Sequence, residues 1–315
     1  MNNKMAAVFA VLSILVVILS SGCTSFGSTN TGSGQGVIIE NFETDFQKVY
    51  SGEKFQLQVK AKNIGSVDAE KVLPTLYNIG KTVSGKNVEI SCTNTCPENF
   101  KMLAPDLERG TEGETKTCSW DCTAPTSVPK GLSVTFNPSV RLYYFYRTST
   151  IKSVTLASRD ELRSVQNQGK TLPSETISTS IGPVQLNVVV NGPIRYSETD
   201  GKVAFPINII IQNTGGGVAC ETLTNGCQDN KNWDKVALFF NEDGENSARL
   251  LSCDISGSSG QGITADLWKG QSKTLACEVE MDVPKTAGFV QKNLKFDIEY
   301  DYFVDASTAI EVIGK

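Results

Sequence analysis

The sequence has no histidine among its 315 residues. Histidine is the commonest general base and metal ligand, so its absence excludes every Ser-His or Cys-His nucleophile arrangement. The sequence also has no basic run, and its 29 basic residues are outnumbered by 34 acidic ones. Nucleic-acid binding needs a concentrated cationic face, and we expect no nucleic-acid partner. We therefore predict a protein that is not an enzyme and needs no cofactor.

No group of residues has the spacing of a metal site. The acidic stretch at 241–245, even with Asp229 and Asp234 added, does not match a calcium-binding loop. It lies between two apolar segments and is typical of a hairpin turn. The sequence therefore predicts no metal.

The longest apolar segment lies at the N-terminus, where residues 5–19 follow Lys4 and are followed by small residues and Cys23. A cationic N-terminus, an apolar stretch and small residues at the end of that stretch are typical of a secretory signal peptide. Residues 1–23 also resemble the lipobox of prokaryotic lipoproteins, which implies cleavage before Cys23 and lipidation of its thiol. The alternative is an uncleaved membrane anchor, since residues 5–22 are about long enough to span a bilayer. Both interpretations predict an extracytoplasmic chain anchored to the cell membrane.

Cysteine usage agrees with export. Of nine cysteines, setting Cys23 aside leaves four in each half of the chain. Even numbers of cysteines in an exported protein predict disulfides: Cys92, Cys96, Cys118 and Cys122 in the first half, and Cys220, Cys227, Cys253 and Cys277 in the second. The spacing of the first four superficially resembles zinc ligands, but the export signal favours disulfides over zinc.

The rest of the chain divides by composition. Residues 24–35 are Ser, Thr, Asn and Gly and predict a flexible tether. Short segments rich in Val, Ile, Thr and aromatics fill 36–157, and 181–315 matches that region in order. Between them lies a linker, 158–180, with one short helix predicted from Ser158 to Gln168. Ser158 and Glu161 form a capping-box pattern, and Gly169 supplies a stop.

The two regions, called here the first repeat (36–157) and the second repeat (181–315), share an alternating strand pattern. Residues 55–65 and 205–215 both run from Phe through alternating apolar residues to an Asn-x-Gly corner. Such short alternating strands, separated by Gly, Pro and Asn, predict antiparallel sandwiches. Asn63 and Asn213 are interpreted as structural, because an Asn side chain can bond to its neighbours' amides at a turn.

A strand ending in Asn-x-Gly, followed by a later Leu-x-x-Gly and a Thr-containing strand, resembles the CARDB domain. That family is a prokaryotic cell-adhesion-related module with an immunoglobulin-like sandwich. The resemblance covers most of both repeats and implies a fold and a surface setting, without catalytic residues. We therefore predict an all-β protein, in which a linker with one short helix joins two tandem immunoglobulin-like antiparallel β-sandwiches.

The repeats suggest how the cysteines pair. Cys220 and Cys227 are close neighbours and are expected to pair, which leaves Cys253 for Cys277. If Cys92 and Cys118 correspond to those last two, then Cys92–Cys118 and Cys96–Cys122 follow. The alternative is an antiparallel ladder, which would pair Cys92 with Cys122 and Cys96 with Cys118.

The densest aromatic run, 143–146, is a candidate binding surface with Tyr143, Tyr144 and Tyr146 as its residues. Alternation places Tyr144 and Tyr146 on one face of a strand and Tyr143 on the other. Exposed rings offer area with a polar tip for a protein or a sugar, while buried rings would be core. The second repeat keeps Tyr302 and Phe303 but has Asp301 and Val304 at the other two positions, so any platform belongs to the first repeat.

These observations favour a membrane-anchored surface protein that acts in adhesion or envelope assembly through contacts with other surface proteins. A glycan- or solute-binding accessory module is the alternative. An enzyme that works without histidine, through paired carboxylates, is a third hypothesis. No residue pair in the sequence indicates such an activity.

Overall fold

A computed structural model describes residues 36–315 apart from 84, 198, 223–225, 242–247, 256–261 and 287. The predictions that concern residues 1–35, including Cys23, and those that concern Glu242 to Glu245 lie outside the described residues. No helix among the described residues is long and apolar enough to cross a membrane.

Short strands make up most of the first repeat, as the alternating pattern predicts. In β3, for example, Phe55, Leu57, Val59 and Ala61 are buried and the residues between them are more exposed. The strands are β1 (Val37–Thr44), β2 (Lys48–Tyr50), β3 (Lys54–Asn63), β4 (Ala69–Tyr77), β5 (Gly80–Val83), β6 (Lys86–Glu89), β7 (Ser91–Asn94), β8 (Phe100–Met102), β9 (Thr115–Thr123), β10 (Ser133–Phe136) and β11 (Ser139–Ser158).

The linker contains one helix, and the second repeat again consists mainly of β-strands. After the helix α1 (Arg159–Asn167) come β12 (Ile177–Thr179), β13 (Val184–Val190), β14 (Ile194–Tyr196), β15 (Lys202–Asn213), β16 (Val218–Cys220), β17 (Lys235–Phe240), β18 (Arg249–Cys253), β19 (Ile263–Asp266), β20 (Ser272–Asp282), β21 (Phe289–Ser307) and β22 (Ile310–Ile313).

Helix α1 begins and ends where the sequence predicts. The Ser158 hydroxyl accepts the Glu161 N–H at 3.2 Å, and Gly169 adopts a left-handed conformation after the last turn. Leu162 and Val165 share the inner side of the helix and are only half-buried. They line a cavity of about 440 Å³ between the helix and the end of β13.

Equivalent four-stranded sheets form one layer of each repeat, in the orders β1-β3-β9-β7 and β13-β15-β20-β18. The opposite layer is shared. A nine-stranded sheet, whose main path is β19-β17-β21-β11-β4-β8, runs through both repeats, and β10-β22-β2 form a smaller sheet. The all-β sandwich fold is thus confirmed. Contacts group the described residues into one compact unit, and the domain boundaries remain predictions.

The two repeats exchange their last strands. β11 and β21 pair antiparallel from Ser139–Ser307 to Ala157–Phe289, so each long strand passes from its own repeat into the other. The end of β11 pairs in parallel with β14 of the second repeat. In the same way β22 pairs in parallel with β2 of the first.

The hydrophobic cores follow this exchange. Val154 and Leu156, from the end of β11, are buried in a core made largely of second-repeat residues. Ile310 and Val312, from β22, are buried in the core of the first repeat. We call this arrangement the strand exchange; it is the intramolecular form of domain swapping.

The two Asn-x-Gly corners make the same bonds, which confirms their structural interpretation. The Asn63 side chain donates to the Val67 carbonyl at 3.0 Å, and Asn213 donates to the Gly217 carbonyl at 3.0 Å. Each side-chain oxygen accepts the N–H two residues on, at 3.1 Å. A Cβ at Gly215 would lie 2.2 Å from the Tyr302 hydroxyl oxygen, so close approach requires glycine there.

The strand pairing shows that the sequence alignment of the two repeats is two residues out of step in β9 and β20. Four residues before each corner asparagine, Val59 lies opposite Cys118, whereas its counterpart Ile209 lies opposite Leu275. Cys118 is therefore equivalent to Leu275, and Cys277 lies two positions further along. A shift of two keeps every side chain on the same face of the strand.

This shift explains why the pairing by repeat correspondence, Cys92–Cys118 and Cys96–Cys122, is wrong. β7 pairs antiparallel with β9 so that Cys92 lies opposite Cys122, and the disulfides are Cys92–Cys122 and Cys96–Cys118. The ladder alternative is the correct one. The other two predicted disulfides, Cys220–Cys227 and Cys253–Cys277, are confirmed.

Candidate functional site

The aromatic run of β11 is divided between the two faces of the central sheet. Tyr144 and Tyr146 are 2% and 0% exposed, so their assignment to a binding surface is wrong. They pack with Tyr300 and Tyr302 of β21 and fill the junction between the repeats. The alternation places Tyr143 on the outer face, where it is half-buried.

Each buried tyrosine hydroxyl has a hydrogen-bond partner. Tyr146 accepts the Val67 N–H at 3.1 Å, and Tyr302 accepts the Gly217 N–H at 2.9 Å. Each bond fixes the residue two positions after the corner glycine. Burial raises the pKa of Tyr146 and of Tyr302 to about 12. These hydroxyls therefore serve the fold as neutral groups.

The outer face of the central sheet carries the candidate site, called here the arginine–aromatic cluster. Its centre is Arg141 of β11, whose guanidinium carbon lies 3.9 Å from the ring centre of Phe303. Three further rings lie within 5.3 to 6.0 Å of that carbon: Tyr77, Trp233 and Tyr143. Such distances are those of cation–π contacts.

Asp305 fixes the guanidinium. The Arg141 Nε and Nη2 atoms donate to the two Asp305 oxygens at 2.8 Å each, in a bidentate pair across β11 and β21. The hydrogen bond to Asp305 raises the pKa of Arg141 further above its already high value. The cluster therefore holds a rigid, permanently charged cation–carboxylate pair framed by aromatic edges.

Trp233, which contacts both cysteines of the Cys220–Cys227 disulfide, supplies one wall of the cluster. Trp233 donates its indole N–H to the Cys227 carbonyl at 3.0 Å, and its backbone bridges to Cys220. Its ring centre lies 5.2 Å from that of Phe303. Because Cys220, Cys227 and Phe303 form one small buried group, the disulfide sets where the indole stands.

A half-buried carboxylate lies next to the cluster. Asp301 of β21 faces Phe145 of β11, and Gly226 of the disulfide loop approaches so closely that a Cβ there would lie 2.4 Å from an Asp301 oxygen. Burial raises the pKa of Asp301 to about 6, and the charge of Lys71 opposes that rise. The Lys71 ammonium lies 5.5 Å from the Phe145 ring centre.

Sequence reasoning found part of this site. It named Tyr143 as a candidate binding residue and predicted the Cys220–Cys227 disulfide, and the fold brings the two together. Arg141, Trp233 and Phe303 were missed. No local pattern marks them, because their contacts depend on the pairing of β11 with β21. The two disulfides of the first repeat link β9 to Cys92 of β7 and to Cys96, which follows β7, in a different sheet.

Of the acidic residues considered as calcium ligands, Asp229 and Asp234 lie among the described residues. Asp229 caps a short 3₁₀ turn by accepting the Lys231 N–H at 3.0 Å. Burial raises the pKa of Asp234, which lies against Gly270. Among the described residues, no group of three or more acidic residues or cysteines is arranged to hold a metal ion.

Comparison with known proteins adds little. No protein-family model matches the sequence, and no curated protein matches it. The secreted serine protease VesC from Vibrio cholerae is 10% identical over 85% of this chain and 51% of that chain, with a TM-score of 0.21. The chain thus spans about half of that protein's length. Collagen adhesin (CNA) from S. aureus is 9% identical over 88% of this chain and 92% of that chain, with a TM-score of 0.12. At such scores neither likeness carries an argument.

Proposed function

We propose that the protein is a membrane-anchored surface protein that acts in adhesion or envelope assembly by binding other surface proteins through the arginine–aromatic cluster. Four disulfides suit an oxidising, extracytoplasmic setting. The proposal includes membrane anchoring through residues 1–23 and a family relationship to CARDB domains. No enzymatic step is part of it.

The observation that carries the proposal is the cluster itself. Arginine, tyrosine and tryptophan are the residues that dominate protein interfaces. Here they are preorganised: Asp305 holds Arg141 and the disulfide loop holds Trp233, so little side-chain entropy is lost when a partner binds. The Tyr77 ring is 39% exposed at the edge of this surface and offers a contact for the partner.

The test places a photo-crosslinking amino acid at Tyr77 of the full-length protein on intact cells. We expect a crosslinked product with another surface protein, and its yield should fall at least fivefold when Tyr143→Ala is added. The control position is Gln58, which is exposed on β3 in the opposite layer. Equal crosslinking from Gln58, or none from Tyr77, would contradict the proposal.

Glycan binding is the second candidate, because a half-exposed tyrosine ring beside a charged hydrogen-bonding pair also suits a sugar. A glycan array probed with the wild-type protein and the Tyr77→Ala variant separates the two. Glycan signals that Tyr77→Ala abolishes, without a protein crosslink, would favour the glycan.

A further inference from the structure

The connection between β8 and β9 displays the most exposed large apolar side chain among the described residues. Leu107 is 86% exposed. The corresponding connection of the second repeat, between β19 and β20, covers only 267–271, against 103–114 here. Its leucine, Leu267, is 4% exposed. The longer loop, called here the 103–114 loop, is thus not needed to close the sandwich.

Hydrogen bonds hold the 103–114 loop in one conformation. The Asp106 carboxylate accepts the N–H groups of Glu108 and Arg109, each at 3.1 Å. Asp106 and Thr111 exchange two backbone hydrogen bonds, at 3.0 and 3.1 Å. Gly113 lies so close to the first corner that a Cβ there would be 1.8 Å from the Asn63 carbonyl oxygen. Leu107 therefore projects from a braced turn.

A cavity of about 350 Å³ lies directly beside Leu107. Ile64, Pro105 and Leu107 form its apolar part, and Lys62 and Glu112 stand at its rim as an ion pair. Single exposed leucines are ordinary on protein surfaces. Leu107 differs from these, because it projects from a rigid turn next to a cavity wide enough for an aliphatic side chain. A protruding side chain (a knob) and a recess (a hole) thus lie side by side on one loop.

We propose that the 103–114 loop is a contact site for a second copy of this chain, in which Leu107 of each copy enters the cavity beside Leu107 of the other. A knob and a hole on one loop form a self-complementary surface, as a two-fold contact requires. The loop and the cavity rim carry both signs of charge, in the ion pairs Asp106–Arg109 and Lys62–Glu112. The second repeat has a shorter connection with a buried leucine, so the contact closes at two copies.

A contact made by one short loop of each copy is expected to bury less than the roughly 1,000 Å² of a stable interface, so the association is expected to be weak. It becomes significant where copies are concentrated on a surface. The site is distinct from the arginine–aromatic cluster, and the two proposals can fail separately.

The first test uses the full-length protein on cells with a photo-crosslinking amino acid at position 107. We expect a product of twice the protomer mass, in which mass spectrometry joins position 107 to a peptide within 103–114 of the second copy. Trp268 is the matched control, since it is 73% exposed on the corresponding turn of the second repeat. A product with a different protein, a link to another region, or no product would overturn the proposal.

The second test measures dimerisation of the detergent-solubilised full chain by sedimentation. Leu107→Asp should raise the dissociation constant at least tenfold, whereas Trp268→Asp should change it less than twofold. Both side chains are exposed, so neither change should alter the thermal unfolding midpoint appreciably. Equal effects of the two substitutions, or none, would also overturn the proposal.

Discussion

At the scale of single residues, the outer face of the central sheet carries charges in unequal environments. Arg141 and Asp305 satisfy each other through two hydrogen bonds. Among the described residues, the Asp301 carboxylate has no hydrogen-bond or ion-pair partner, only the nearby charge of Lys71. Ionising a carboxyl that burial has partly stripped of water costs free energy, which is why its pKa rises.

The raised pKa of Asp301 predicts how the stability of the fold depends on pH. The folded-state pKa of Asp301 is about 6, against about 3.9 when unfolded, so its protonated form stabilises the fold below pH 4. That stability is lost as pH rises through 6. Asp301→Asn should therefore raise the free energy of unfolding by ~2 kcal/mol at pH 7.5, after allowance for solvent screening, and by little at pH 4.

Urea unfolding of both proteins at the two pH values measures the effect. The exposed Asp200→Asn variant serves as control and should change the free energy of unfolding by less than about 0.5 kcal/mol. A gain from Asp301→Asn that is the same at pH 4 and 7.5 would assign the effect to packing instead of ionisation.

At the scale of elements, strand register decides which side chains meet. β7 and β9 pair so that Cys92 faces Cys122, and the same ladder brings Cys96 to Cys118. Cys92–Cys122 thus fastens the edge strand β7 to the sheet, and Cys96–Cys118 fastens the segment that follows β7. In the chain-entropy description a closed loop of this length stabilises the fold by about 3 kcal/mol.

The double variant Cys96→Ser, Cys118→Ser should therefore lose about 3 kcal/mol of unfolding free energy. It should gain no free thiol relative to the wild type, because Cys92 and Cys122 remain bonded to each other. A thiol assay under denaturing conditions checks this. Two additional thiols would show that Cys92 is paired with Cys118 instead.

At the scale of the whole molecule, the strand exchange ties the two repeats together. Val312, near the C-terminus, is buried with Trp120 in the core of the first repeat. Two independent domains in tandem would not share core residues in this way. Here the folding of the first repeat depends on the last strand of the chain.

Val312→Asp should accordingly unfold or strongly destabilise the first repeat, because an unpaired charge in a core costs several kcal/mol. The readout is Trp120 fluorescence during urea unfolding in a variant whose other two tryptophans are replaced by Phe. Glu311→Gln, on the same strand, is the control. An unchanged Trp120 transition in Val312→Asp would contradict the strand exchange.

The sequence by itself determined the local structure of this protein. Alternation in 55–61 set which side chains of β3 are buried, Ser158 and Gly169 bounded the helix, and the Asn-x-Gly corners recurred with identical bonds. These features depend on neighbouring residues or on the two-residue period of a strand, and both are visible along the chain.

Only the tertiary structure decided the strand exchange, the disulfide pairing of the first repeat and the arginine–aromatic cluster. A two-residue period cannot reveal a register shift of two, so Cys118 aligned with Cys277 instead of Leu275. The burial of one face of a strand also does not identify the strand that pairs with it in the sheet. The pairing of β11 with β21, residues far apart in the chain, set Arg141 beside Phe303 and turned Tyr144 into core.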